Sequence, residues 1–230
     1  MMPLITSVNI ACGAHAGTER SMRETIRLAK ASGVSVGAHP GYRDPANFGR
    51  RALAVPVDEL VADLVQQIRT LTAIARSEGV PVTHVKGHGA LYNAAQHDES
   101  VAAAIVLAIQ QSAAGLVLFV FPGSALERAG RAAGLRVARE GFIDRVYEPD
   151  GALRSRAHAD ALITDPGNAA AQAVSFMTDG GVRANDGSFL EQAVDTLCVH
   201  GDTPGAPAIL RAARGALVAA GVAVERLRAA

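Results

Sequence analysis

Residues 58–88, DELVADLVQQIRTLTAIARSEGVPVTHVKGH, hold the transition that decides the fold. Leu60, Leu64, Ile68, Leu71 and Ile74 recur at helical spacing and fall on one face, with Asp58 as the expected N-cap and Gly79 as the stop. Val82–His88 then reads as a strand, bounded by Pro81 and Gly89. Working outward, short β-branched runs at Ser7–Cys12, Val34–His39, Leu116–Phe121, Leu135–Phe142 and Thr196–His200 also predict strands. Helical spacing predicts helices over Glu19–Ala31, Asp98–Gln111, Ser124–Ala133, Asn168–Thr178 and Pro207–Ala220. Strands alternating with helices of this length imply parallel strands joined by crossovers, hence an α/β fold. Periodicity alone leaves an open sheet and a closed barrel as alternatives.

The 230 residues, 49% of them hydrophobic, can bury one substantial core, so a single domain over 1–230 is the expectation. Lys plus Arg and Asp plus Glu both number 22, which gives no net field to attract nucleic acid or an anionic membrane. A small-molecule or protein partner fits better. No stretch reaches the ~18 apolar residues needed to span a bilayer, and no basic leader precedes an apolar run. Cys12 and Cys198 sit far apart in apolar runs, which suits a reducing, cytoplasmic setting.

Four of the seven histidines stand beside Gly or Ala where an expected strand becomes a loop: His15, His39, His88 and His200. Small neighbours let the chain turn sharply there, and in β/α barrels the C-terminal strand ends are where catalytic groups gather. Strand alternation places His84, Lys86 and His88 on one side of 82–88. Lys86 there suits a carboxylate or phosphate, whereas His84 reads more readily as a satisfied interior histidine. Asp144 and Arg145 follow the run that ends at Phe142, and Asp202 follows His200, so each brings a charge to the same end. Asn9 puts an amide inside an apolar strand, where it needs partners. The loop 41–51, with Tyr42, Arg43, Phe48, Arg50 and Arg51, could clamp an anion. A Walker-type phosphate loop, a dinucleotide glycine fingerprint, a GxSxG elbow and a CxxC pair are all absent.

The strings SVNIACGAHAG (7–17), GAHPGYRD (37–44), NFGRR (47–51), VKGHGALYN (85–93), GFIDRVY (141–147) and CVHGD (198–202) occur in an order that resembles the LamB/YcsF family. The resemblance implies a seven-stranded β/α barrel, related to glycoside hydrolases and polysaccharide deacetylases. It also implies an ATP-dependent 5-oxoprolinase activity, in which this chain would act as the A component with subunits B and C to open the lactam of 5-oxo-L-proline to L-glutamate. Carried over motif by motif, it points to His15, His39, His88, Asp144 and His200 as catalytic, and to Asn9, Lys86, Arg145 and Asp202 as substrate-binding. Lys86 and Arg145 would bind a carboxylate or phosphate. A histidine or Asp144 would activate water or receive a phosphorylated intermediate. ATP is the implied co-substrate, bound here or through the partner subunits, and a divalent metal is a further option.

Three departures accompany the resemblance. The family's DLNxDxGE-like opening strand is expected some twenty residues ahead of Ser7, whereas this chain starts six residues ahead of it, so the barrel is expected to lack its first strand. A misassigned start, a truncated copy and a gap filled by another chain would each account for that. Gly87 stands where the family has proline, and Gly17-Thr18-Glu19 replaces a GDP sequence. Two rival functions remain open: a metal-dependent amide or polysaccharide deacetylase, and an inactive scaffold protein.

Overall fold

A computed structural model describes residues 1–226. The described chain divides into two compact units. The larger comprises mainly residues 6–138 and the smaller mainly residues 139–225, with the division falling inside one strand.

In the larger unit β1 (Ser7–Ala11), β2 (Ser35–His39), β3 (Val82–Val85) and β4 (Val117–Val120) pair successively in parallel. The crossovers carry α1 (Glu19–Ala31), α2 (Val57–Ser77), α3 (Gly89–Ala94) and α4 (Glu99–Ser112), and α5 (Ala125–Ala132) follows β4. The parallel α/β reading therefore holds. Leu118 on β4 donates its N–H to the Arg136 carbonyl just before β5 (Val137–Phe142).

Local chemistry explains most boundaries. Thr18 and Ser21 form a reciprocal capping box at α1, Asp98 caps α4 and Ser124 caps α5. The expected Asp58 cap is not observed. α2 starts two residues earlier than that cap implies, after Pro56, whose side chain makes no cap bond, so Asp58 becomes a first-turn acid facing the positive end of the helix dipole. Gly79, at φ 67°, ends that helix as expected. α2 buries Leu60, Leu64, Ile68, Leu71 and Ile74 along the predicted stripe, together with Gln67. The strand expected to run to His88 stops at Val85: Lys86 and His88 still donate their N–H groups to the Ala38 and Pro40 carbonyls, but Pro40 has no N–H to return a bond, and α3 begins at Gly89.

In the smaller unit the later part of β5 pairs in parallel with β8 (Thr196–Cys198). Between them lie α6 (Pro166–Thr178), capped by Asp165, and an antiparallel hairpin of β6 (Gly181–Arg183) and β7 (Phe189–Glu191). α7 (Ala206–Ala219) follows β8 and packs on α6. The hairpin and α3 are absent from the sequence reading. Each is only three to six residues long and carries too little periodicity to register. Tyr147, fully buried, holds β5 by accepting the Phe142 N–H at its hydroxyl, 2.9 Å away.

Candidate active-site residues

In the larger unit, three of the expected histidines meet at the ends of β1, β2 and β3, with His39 as the last residue of β2. The His15 ring lies flat on that of His88, with 3.8 Å between centroids and 4° between planes, and His39 meets His88 edge-on at 4.8 Å. His39 Nδ1 is 2.8 Å from the Lys86 carbonyl, and its Nε2 is 3.0 Å from His88 Nδ1. His88 Nε2 is 2.8 Å from the Phe48 carbonyl. His15 is almost completely buried, and its Nδ1 has no hydrogen-bond partner among the described residues. Burial, reinforced by His88 and Arg50, pushes His15 down to about 3, so it is neutral at neutral pH. His39 also lies well below the usual imidazole range, because burial and then the charges of His88 and Lys86 oppose a second proton.

The approach of these rings depends on missing side chains. A Cβ on Gly41 would stand 2.8 Å from His15 Nδ1, and one on Gly49 would stand 2.8 Å from His15 Cβ and 2.9 Å from His88 Cδ2. Gly49 also has φ 64°, and Phe48 before it adopts the same left-handed region at φ 54°, a conformation that costs energy in a residue with a side chain. Arg50 lies over the Phe48 ring at 5.0 Å. Gln67, inside the apolar stripe of α2, accepts the Gly41 N–H at 3.0 Å and donates to the Gly41 carbonyl at 2.9 Å. Sequence reasoning missed Gln67, and it named Phe48 only as part of a loop that could clamp an anion. A lone amide in a helical apolar stripe was the available signal for Gln67, while the contact Phe48 makes to His88 runs through its carbonyl, which no residue type announces.

Asn9 and His84 form a separate interior pair, with Asn9 Oδ1 3.0 Å from His84 Nε2 and Thr83 Oγ1 2.9 Å from His84 Nδ1. The His84 ring stacks on Phe119 at 4.4 Å. Burial pushes His84 down to about 3, Lys86 adding to the effect, so it is a neutral core histidine. Asn9, expected at the substrate, engages this ring through its Oδ1. Lys86 is buried, with its ammonium 5.6 Å from the Tyr92 ring centre.

In the smaller unit Asp144, Arg145, His200 and Asp202 lie beyond β5 and β8. Asp144 is fully buried and accepts from the His200 N–H at 2.9 Å, from His200 Nδ1 at 3.0 Å and from the Thr203 hydroxyl at 2.6 Å. Burial alone would raise its pKa, but the His200 ring, the Thr203 hydroxyl and the His200 amide together hold it at about 2. Asp144 is therefore ionised and fixes His200 with a proton on Nδ1, leaving Nε2 as the nitrogen with no partner among the described residues. Arg145 donates from Nε to the Ala161 carbonyl and from Nη2 to the Arg154 carbonyl, which ties down the 154–161 segment. Asp202 is exposed in the turn before α7. Thr203 went unnoticed in the sequence, as did Glu140, a carboxylate almost fully buried on β5.

Among the described residues no three His, Cys, Asp or Glu side chains are grouped to hold a metal ion. The donor set does not fit one, since His39 and His88 turn their ring nitrogens to each other and to carbonyls. No described helix is long and apolar enough to cross a membrane.

Parallel strands joined through helical crossovers define an α/β protein, with imidazoles at the ends of β1, β2 and β3 in the larger unit and an ionised carboxylate after β5 in the smaller. The chain belongs to the LamB/YcsF family, whose model matches residues 1–230. It is 51% identical to the A component of 5-oxoprolinase from Symbiobacterium thermophilum, over 97% of this chain and 86% of that protein. It is 48% identical to the protein of the same name from Chloroflexus aurantiacus, over 98% of this chain and 89% of the other. Among solved structures it is similar to the lactam utilization protein from Thermus thermophilus, with a TM-score of 0.91 and 46% identity over 98% of this chain and 90% of that one.

Proposed function

We propose that the chain is the A component of an ATP-dependent 5-oxoprolinase, which opens the lactam of 5-oxo-L-proline to L-glutamate together with subunits B and C. The observation that carries this reading is the Asp144–His200 pair, a buried carboxylate that aligns an imidazole whose second nitrogen is left to accept a proton. The names of the relatives supply the substrate class.

A lactam is a stable amide, so water attacks it slowly. Transfer of the ATP γ-phosphoryl group to the lactam oxygen would give a far better electrophile. Water would then add at that carbon, its proton passing to His200 Nε2. The ring C–N bond would break with protonation of nitrogen, leaving γ-glutamyl phosphate, and a second water would hydrolyse this acyl phosphate to glutamate and phosphate, with ADP as the other product. General base action of this kind is worth roughly 10²–10⁴-fold. The chain lacks a glycine-rich phosphate loop, which favours a place for ATP in the assembled complex over a site in this chain alone. A cytoplasmic setting and the family's β/α barrel, as one domain over 1–230, go with this reading.

The test is ATP-dependent release of glutamate from 5-oxoproline by the chain reconstituted with subunits B and C. Activity that disappears when His200 is replaced by Ala supports the proposal. Hydrolysis of acetylated sugars or amides without ATP would favour the deacetylase reading, and partner binding without turnover would favour a scaffold.

A further inference from the structure

The geometry of the larger unit assigns protons to the His39–His88 pair. Four ring nitrogens take part in three contacts: His39 Nδ1 with the Lys86 carbonyl, His39 Nε2 with His88 Nδ1, and His88 Nε2 with the Phe48 carbonyl, at 2.8, 3.0 and 2.8 Å. A carbonyl only accepts, so both outer nitrogens must carry hydrogen, and the inner contact needs one hydrogen between two nitrogens. Two neutral imidazoles supply two hydrogens, whereas these contacts need three. With only two, one contact would set lone pair against lone pair in a partly buried place.

We propose that His39 and His88 hold three ring protons between them, so that His88 is an imidazolium in the resting protein and His39 is the positioning residue that keeps it so. His39 takes the neutral role, with Nδ1–H directed to Lys86 and Nε2 accepting from His88. That division agrees with the low proton affinity of buried His39. His88 donates at both nitrogens, to His39 and to Phe48.

The groups around the pair act in both directions. His15 stacks on the His88 ring as a neutral imidazole, and Lys86 and Arg50 bring like charge. Asp44, a buried carboxylate, caps the short turn that presents Phe48. The two acceptors fixed on His88 are what hold the third proton. Phe48 keeps its costly left-handed backbone while offering one of them, and Gly49 and Gly41 leave the room the rings need. In this state neither His39 nor His88 has a lone pair available as a base. Under the lactam-opening proposal, on which this last step alone rests, the base is therefore His200, since His15 is buried and its proton affinity is held low by that burial.

The experiment is imidazole ¹⁵N NMR of the full chain labelled at histidine, with His39→Gln and His39→Leu variants alongside. The expected result is two protonated nitrogens on His88 and one on His39 at neutral pH. His39→Gln keeps an acceptor oxygen and should preserve the His88 midpoint, while His39→Leu should lower it by about one pH unit, a tenfold loss of proton affinity. A singly protonated His88 in the unaltered protein overturns the proposal, as does an equal midpoint in the two variants. Should the variants fail to fold, the spectrum of the unaltered protein decides alone. No step uses turnover, so an inactive complex with the expected spectrum would count against the lactam reading and leave the proton assignment standing.

Discussion

Gly37 on β2 and His84 on β3 occupy one space, because a Cβ at position 37 would overlap the His84 imidazole. Gly37 is paired with Asn9 on β1 and with His84 itself across the sheet, so its backbone has nowhere to move. Gly37→Ala is expected to destabilise the protein by ~1–3 kcal/mol or more through overpacking. Adding His84→Ala should recover part of that loss, read as a non-additive term in a denaturant double-mutant cycle. Strict additivity would show that the two positions do not compete.

His15 and His84 are both held neutral, with folded values near 3 against about 6.5 for an unfolded imidazole. Below pH 6.5 the unfolded chain takes up protons that the folded chain refuses, so stability falls as pH drops and the loss ends near pH 3. Each group contributes ~1.4 kcal/mol per pH unit well inside that window. His84→Gln, which can still meet Asn9 but does not titrate, should shrink the stability difference between pH 7 and pH 5 in urea unfolding. An unchanged difference would refute the assignment.

Asp144 behaves in the opposite sense. Its folded value of about 2 lies below the ordinary carboxylate value of about 3.9, so its contribution is present in full above pH ~4 and disappears as pH falls through 2. Asp144→Asn should lower glutamate release by the reconstituted complex at least ~10²-fold while circular dichroism stays native, because the amide no longer fixes the Nδ1–H form of His200. Activity within a few-fold of normal would remove His200 from the base role.

Thr203 tests the same carboxylate from its other side. Its hydroxyl lies 2.6 Å from Asp144 Oδ2 in a buried setting. Thr203→Val leaves an acceptor lone pair unmet and should cost ~1–3 kcal/mol, raising the pH of acid unfolding, whereas Thr203→Ser should restore most of both. Equal behaviour of Val and Ser would show that the hydroxyl contributes nothing.

Arg145 was expected at the substrate, yet its guanidinium is turned to two backbone carbonyls. Arg145→Lys keeps the charge but loses the forked donor geometry. Faster amide exchange over residues 154–161 is the expected outcome, with protection in α6 unchanged. Uniform exchange across both segments would rule out this local role.

The amino-acid sequence by itself determined the alternation of strands and helices. Stripes such as Leu60–Leu64–Ile68–Leu71 and runs such as Val117–Val120 are dictated by which faces must leave water, and the caps at Thr18, Asp98 and Ser124 are local hydrogen bonds. It also placed His15, His39, His88 and His200 at strand ends, since small residues around a turn are visible in one dimension. Only the tertiary structure decided what each does. Whether an imidazole is a base, a cation or packing depends on atoms brought from distant positions: Phe48 and Lys86 carbonyls around His39 and His88, Asn9 beside His84, Asp144 and Thr203 beside His200. Hydrogen-bond partners across forty to seventy-five residues carry no periodic signal, and a carbonyl acceptor belongs to every residue type alike.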